Sequence, residues 1–286
     1  MTLCSHCSSE NIQKRGFFYL KHSSKYVQRY FCRDCKKSFS PRTFALDAYQ
    51  HKPFLNDLIK KLLCEGSSMR SLSRVFHVTY ATIYRKFLFL SEYSIKKRSS
   101  DFHTLYFDEM ETLEHTKCKP LSISLFVTDQ YELLSALVAQ MPCKGKLAKI
   151  SRAKYGYRKD ERHKALNAGL KQAQSLNQNI NTVMTDGKSQ YKKLVSKYFP
   201  KAEHKTHTRN QKLREQEKQT LHEGLKRKVY DPMFTLNQRC ALLRDKINRL
   251  TRRSWCTTKK PENLQRHLNL FIDYHNQVFI KTPTLN

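Results

Sequence analysis

Two groups of residues in this sequence have the types and spacing to do chemistry. The first is Cys4-Ser5-His6-Cys7 with Cys32-Arg33-Asp34-Cys35, two C-x2-C pairs separated by 24 residues. Two residues between cysteines let both sulfurs face one ion, and two such pairs complete a tetrahedral thiolate site for a structural Zn2+. The second group is a pair of acids. Asp108 closes the apolar run Thr104-Leu105-Tyr106-Phe107, and Asp186 closes Thr182-Val183-Met184-Thr185. With 54 Lys plus Arg against 24 Asp plus Glu, an acid at the end of an apolar strand calls for a cation. A strand-terminal Asp is also a common turn or helix cap, above all in Asp186-Gly187. Taken together, the two are candidate ligands for Mg2+ or Mn2+, the pattern of a phosphoryl-transfer site.

Composition bounds what such groups would act on. The chain has 286 residues, room for two or three domains, and 39% hydrophobic residues, enough for a core. A net charge of +30 would repel itself strongly without a polyanion, and nucleic acid is the expected partner. No apolar run reaches the roughly 18–20 residues that span a bilayer. The first residues show no secretory h-region, so the expected location is cytoplasmic and nucleoid-associated, with no membrane partner. Nine cysteines then read as reduced thiols and metal ligands. Cys64, Cys118, Cys143, Cys240 and Cys256 lack ligand spacing and read as core or surface thiols.

The elements that must position these groups can be read in order. Residues 1–40 read as a zinc ribbon, with strands around Phe17-Phe18-Tyr19 and Tyr26–Phe31. Lys14, Arg15, Lys21, Lys25, Arg29, Arg33, Lys36 and Lys37 would face phosphates, and His6 is a bystander. Residues 41–100 read as a helix-turn-helix domain and linker. Pro53 opens one helix that stops at Glu65-Gly66. Ser67-Ser68 cap a second, Met69–Phe76, and after His77-Val78-Thr79 a third runs over Tyr80–Leu90. Ile83, Phe87 and Leu90 would be buried; Tyr80, Thr82, Tyr84, Arg85 and Lys86 would face the major groove of double-stranded DNA. A plain helical packing unit would show the same periodicity. Ile95–Ser100 reads as the linker.

Residues 101–286 alternate strands and helices: strands at Thr104–Asp108, Leu121–Thr128 and Tyr131–Gln140, a basic segment, a strand ending in Asp186, a helix, a short strand and a long helix. That is an α/β arrangement on a mixed sheet, with the strands carrying Asp108 and Asp186 as neighbours. Tyr155-Gly156-Tyr157-Arg158-Lys159 with Lys144, Lys146 and Lys149 form a basic, aromatic segment able to follow a phosphate backbone. His204 and His207 sit at the short strand after Pro200. The last helix, with Leu264, Leu268, Phe271 and Ile272 inward, would pack on the sheet.

This order of parts resembles DDE-type transposases of small bacterial insertion sequences, the insertion-sequence-one type and its zinc-ribbon relatives. The matching words are Phe107-Asp108-Glu109, Thr185-Asp186-Gly187 with Tyr191, and Leu242-Leu243-Arg244 leading into Arg249-Leu250-Thr251-Arg252-Arg253. The resemblance covers nearly the whole chain. It implies a multidomain α/β protein with a ribonuclease-H-like catalytic domain over 101–286. It also implies a homo-oligomer on transposon ends that cuts DNA and joins the freed 3′ hydroxyl to a target strand. Asp108 and Asp186 would hold Mg2+ or Mn2+, and Arg244 would approach DNA.

The third acid departs from the pattern. Where that family carries Glu on the helix that leads into the Leu242-Leu243-Arg244 word, this chain has Asn237. An Asn carbonyl can ligate a hard cation without formal charge, so metal affinity would be lower. The helix, capped by Asp231-Pro232, would bury Leu236, Cys240, Leu243, Ile247 and Leu250 along one stripe. Glu215, Glu217 and Glu223 are rival third ligands, though a charged helical stretch also reads as solvated surface. The absence of Glu at 237 favours a second expectation, a non-catalytic descendant acting as a DNA-binding regulator. A branched-DNA nuclease would share the metal chemistry without needing the ribbon and helix-turn-helix.

Overall fold

The computed structural model describes residues 2–20, 24–45, 47–48, 50–93, 101–207, 231–251 and 258–278. Lys21, the segment 95–100, Glu215, Glu217, Glu223, Arg252, Arg253 and the segment 255–257 lie outside them. Among the described residues no helix is long and apolar enough to cross a membrane.

The N-terminal strands are β1 (Ile12–Leu20), β2 (Lys25–Cys32) and the short β3 (Ser38–Phe39), an antiparallel sheet in that order. The β1–β2 register shifts between Lys14 and Phe17. Gly16 takes up that shift at φ 63°, a left-handed conformation that favours glycine in a bulge. The core here is small: Cys4, Cys32 and Phe39 are buried, with Ile12, Tyr30 and Cys35 against them. A core this small needs a metal or another staple to hold it.

Helix α1 (Asn56–Cys64) follows a 3-10 turn at Pro53–Leu55, and α2 (Met69–Val75) and α3 (Tyr80–Glu92) come next. Ser68 and Thr79 cap α2 and α3, accepting from the amides of Ser71 and Thr82. Between them His77 turns the chain at φ 49°. The chain divides into two compact units, Met1–Ile59 and Lys60–Asn286, with the boundary inside α1.

The second unit is built on a five-stranded mixed sheet. Its strands are β4 (Thr104–Glu114), β5 (Thr116–Thr128), β6 (Leu133–Gln140), β7 (Thr182–Thr185) and β8 (Glu203–Thr206), in the order β6-β5-β4-β7-β8. Its later helices are α4 (Ala148–Tyr155), α5 (Arg162–Leu176), α6 (Ser189–Tyr198), α7 (Phe234–Lys246) and α8 (Pro261–Val278). The fold is therefore mixed α/β with eight α-helices among the described residues.

One face of the sheet buries Leu105, Phe107, Phe126 and Val183 against Leu166, Leu170, Leu194 and Val195 of α5 and α6. Gly169 lets α5 approach closely: a Cβ there would lie 2.0 Å from Phe126 Cε2. The outer edge of β6 is covered by α8. Gln265 accepts from Val138 N–H and donates to Ala136 O, both at 2.8 Å, and Asn276 pairs in the same way with Leu133 at 3.1 and 2.9 Å. These side-chain amides satisfy a strand edge that would otherwise invite pairing.

Residues 60–92, read from sequence as part of a separate domain, pack within this second unit. Lys60 Nζ meets Asp273 at 2.6 Å, His267 Nε2 donates to Leu63 O at 3.1 Å, and Glu65 holds both Lys246 and Tyr274. The stripe expected over Leu236–Leu250 is interrupted: α7 stops at Lys246, and Asn248–Leu250 form a 3-10 turn. Ile247 and Leu250 are still buried, carried inward by that turn instead of by a continuous helix.

Candidate functional site

In the first unit the sulfurs of Cys4, Cys7, Cys32 and Cys35 all lie within 4.8 Å of one another. Cys4–Cys35 and Cys7–Cys32 are separated by 3.7 and 3.6 Å. Zn–S bonds of about 2.3 Å in a tetrahedron set sulfurs about 3.8 Å apart, so the four fit a metal such as zinc. The amide of His6 donates to Cys4 Sγ at 3.4 Å. The amide of Cys35 holds the Cys32 thiol down, at about 6, whereas Cys7 and Cys35 are raised, so the thiolate that a metal needs forms first at Cys32. Asp34 ties the second knuckle to the strand entry through Ser9 at 2.5 Å and Asn11 at 2.9 Å. His6 is outside the cluster, its ring edge-on to Phe44 at 5.0 Å. The exposed Lys14, Arg15, Lys25, Arg29, Arg33, Lys36 and Lys37 surround this sheet.

In the second unit β4 and β7 are adjacent and parallel, paired from Thr104↔Thr182 to Tyr106↔Met184. Asp108 and Asp186 each lie two residues beyond the last pair, and so stand level. The expectation that Asp108 ends its strand is corrected: β4 runs on to Glu114, with Asp108 opposite Leu125 of β5. The apolar pattern stops at 108, but hydrogen bonding to β5 continues as far as the turn at His115 (φ 42°). What ends near Asp108 is its parallel neighbour, and that opening lets side chains reach the acid.

Lys188 fills the opening. Its ammonium lies 2.7 Å from Asp108 Oδ1, 3.4 Å from Asp186 Oδ2 and 3.6 Å from Glu109 Oε2. It also donates to Tyr191 Oη at 3.0 Å, and its amide donates to Asp186 Oδ1 at 3.2 Å. The two aspartates are thus no farther apart than the sum of their distances to Nζ. Partial burial opposes the charge on Lys188, but the Asp108 hydrogen bond and the three carboxylates outweigh it and hold the ammonium above its usual range. Tyr191 is fully buried. Its hydroxyl lies 3.1 Å from Asp108 Oδ1 and 3.2 Å from Glu109 Oε2, and burial together with those charges keeps it a phenol. Glu109 is further held by Ser122 at 3.4 Å and Gln190 at 3.5 Å.

Three carboxylates share one ammonium here, which leaves two formal negative charges for a divalent cation. They are more dispersed than the sulfurs: among the described residues only the cysteines form a tight group of three or more potential ligands. On α7, Cys240 is pushed up to about 11 by burial, with Arg244 and Asp108 near enough to act on it. That helix packs against β4 and β5. Asn237, one turn earlier and exposed, donates from Nδ2 to Asp231 Oδ2 at 2.8 Å. Asp231 also accepts from the Met233 amide at 2.9 Å, shaping the turn before α7. His204 Nε2 meets Thr185 Oγ1 at 2.8 Å, beside Asp186, and burial lowers its basicity.

Of the residues expected to face DNA on α3, Tyr80 and Arg85 are exposed and Thr82 and Tyr84 half-buried. Tyr84 stacks on Tyr80 and donates to Asn263 at 3.4 Å. Lys86 is corrected: it is only 4% exposed. It falls three residues after Ile83 and beside Phe87, on the buried stripe, where its charge had suggested the outer face.

Sequence reasoning missed Lys188 and the role of Glu109, although both are neighbours of residues it chose. Tyr191 entered only through the resemblance. The signal for Lys188 was its place just after Asp186-Gly187, where a helix start turns the side chain back over the strand end. The chain matches no model of a known protein family, and no curated protein matches it.

Proposed function

We propose that this protein is a zinc-ribbon transposase that binds transposon-end DNA and carries out metal-dependent strand cleavage and transfer. The observation that carries the reading is the meeting of Asp108 and Asp186 at one level of adjacent parallel strands, in a chain of net charge +30. A bound Mg2+ or Mn2+ would stabilise charge on the attacking and leaving oxygens of an in-line displacement. Asp108 and Asp186 are the ligands; Asn237, at the place where the resemblance calls for Glu, would be a neutral third member only by leaving its bond to Asp231. Tyr191 fixes Asp108 from behind, and Glu109 lies 3.2 Å from the same hydroxyl. Lys188 balances the acids and is long enough to turn to a scissile phosphate once a metal takes its place. The ribbon cations, Arg85, Tyr80 and Arg244 grip the duplex, and copies of the chain pair on the two ends.

A second reading is favoured by the same lysine: an ammonium already seated among the acids suits a DNA-binding regulator without catalysis. The separating experiment is a cleavage assay on end-containing DNA with Mg2+ or Mn2+. The catalytic reading expects cleavage by the native chain and none by Asp186→Asn, with equal DNA binding. Equal cleavage by both would sink the metal assignment, and no cleavage by either would favour the regulator.

A further inference from the structure

Residues 133–159 contain no Asp or Glu but seven Lys and Arg. Six of the seven are exposed; Arg158 is buried. Arg158 is the anchor. Its guanidinium lies 3.5 Å from Glu114 Oε2 and donates to Met141 O and Pro120 O at 3.5 and 3.4 Å. Ser151 Oγ adds a 2.6 Å bond to Cys118 O. Together they fasten α4 and the loop after it to the far half of the β4–β5 hairpin. Gly156, at φ 72°, reverses the chain so that Tyr157 stands out from the surface.

A cavity of about 480 Å³ opens between Pro142-Cys143, α4 and this loop. Pro142, Ala148 and Ala153 give it apolar walls, while Lys149, Arg152 and Tyr157 also line it. Tyr157 is 80% exposed, so its ring serves no core. Ordinary ligand pockets run from about 300 to 1,000 Å³, and a single nucleobase fits easily. Cations alone would suit any polyanion. An exposed ring beside an apolar-walled cavity suits a polyanion that also carries flat aromatic groups.

We propose that this cavity binds an unpaired nucleobase of single-stranded nucleic acid, stacked on Tyr157, with the flanking phosphates on Lys149, Arg152 and the neighbouring lysines. Stacking on an aromatic side chain with a cationic track beside it is sequence-tolerant recognition of unpaired strands. The site is independent of Asp108 and Asp186, so cleavage can fail while this site holds.

The test uses the full chain and fluorescence anisotropy on a labelled single strand of about 15 nucleotides, with a duplex of the same length. Tyr157→Ala should weaken single-strand binding about 5- to 100-fold and leave duplex binding within about twofold. Tyr157→Phe should keep native affinity, which guards against misfolding as an explanation. Lys149→Ala with Arg152→Ala should reduce the salt slope on the single strand by about 1.4, at roughly 0.7 per charge. The pair Lys171→Ala with Lys193→Ala, on the exposed faces of α5 and α6, should leave it unchanged. An equal loss on single strand and duplex with Tyr157→Ala, no loss at all, or the same slope change from the control pair would overturn the proposal.

Discussion

The two candidate metal centres are built in opposite ways. The cysteine cluster is local: each pair of ligands is set by two intervening residues, and a short antiparallel sheet brings the pairs together. The carboxylate group is topological. Asp108 and Asp186 are 78 positions apart in sequence, and only the parallel β4–β7 register makes them neighbours. The chemistry differs in the same sense. Four cysteine sulfurs within 4.8 Å of one another are placed to share one ion. Three carboxylates around Lys188 are already partly neutralised, so there a metal must compete with an ammonium.

The largest effect expected from this contrast is on the first unit. Cys32→Ser should abolish zinc binding and unfold the β1–β3 sheet, because apparent binding energies of structural zinc sites are about 10–16 kcal/mol. Elemental analysis should find one zinc per native chain and none in the variant. The far-UV signature of the second unit should persist.

Gly169→Ala reverses the test by disturbing only the packing behind the acids. Its methyl would overlap the buried Phe126 ring, and overpacking of this kind costs about 1–3 kcal/mol. Urea unfolding should show the second unit weakened and the zinc content unchanged. Native stability would mean that the ring has room to move.

Acid should also weaken the second unit through His267. Burial first, then the Arg249 charge, push this histidine down to about 4. Nε2 donates to Leu63 O, while Nδ1 is buried with no hydrogen-bond partner, so a second proton would have no acceptor. The folded value lies below the unfolded 6.5, so the unfolded chain binds more protons between the two. Stability is therefore complete above about pH 6.5 and falls as pH drops towards 4, by on the order of 2 kcal/mol at pH 5. His267→Gln should remove that share of the slope in urea titrations at pH 7 and 5, leaving the share of His275, which burial also pushes down to about 4; an unchanged slope would remove His267 as a source.

A smaller effect is expected at Lys188. Lys188→Ala leaves Asp108, Glu109 and Asp186 repelling one another. With 39% of the side chain exposed, solvent screening limits the loss to about 1 kcal/mol. Millimolar-range Mg2+ should recover more stability in this variant than in the native chain, as thermal melts would show. Equal Mg2+ responses would argue that the lysine and the metal do not share a place.

What the sequence made legible follows the same division. Cysteine spacing, the cap at Ser67-Ser68 and the neighbouring β4 and β7 strands all rest on short-range patterns or on simple α/β order. Asp108 was placed at a strand end because the apolar alternation stops there, although a hairpin strand can continue on backbone hydrogen bonds alone. Lys86 was placed outside because charge usually marks exposure, yet a long side chain can lie along a buried stripe. The break after Lys246 and the pairing of Gln265 and Asn276 with β6 depend on tertiary contacts that no local pattern carries. Lys188 is the instructive miss, since its meaning depends on which strand ends beside it.

The most direct test of the central claim is Mn2+ binding by the zinc-loaded full chain, followed by electron paramagnetic resonance of free Mn2+. If Asp108 and Asp186 form a cation site, the native chain should remove Mn2+ from solution, and Asp108→Asn and Asp186→Asn should each lose that capacity while keeping their zinc. Unchanged Mn2+ uptake by both variants would contradict the account.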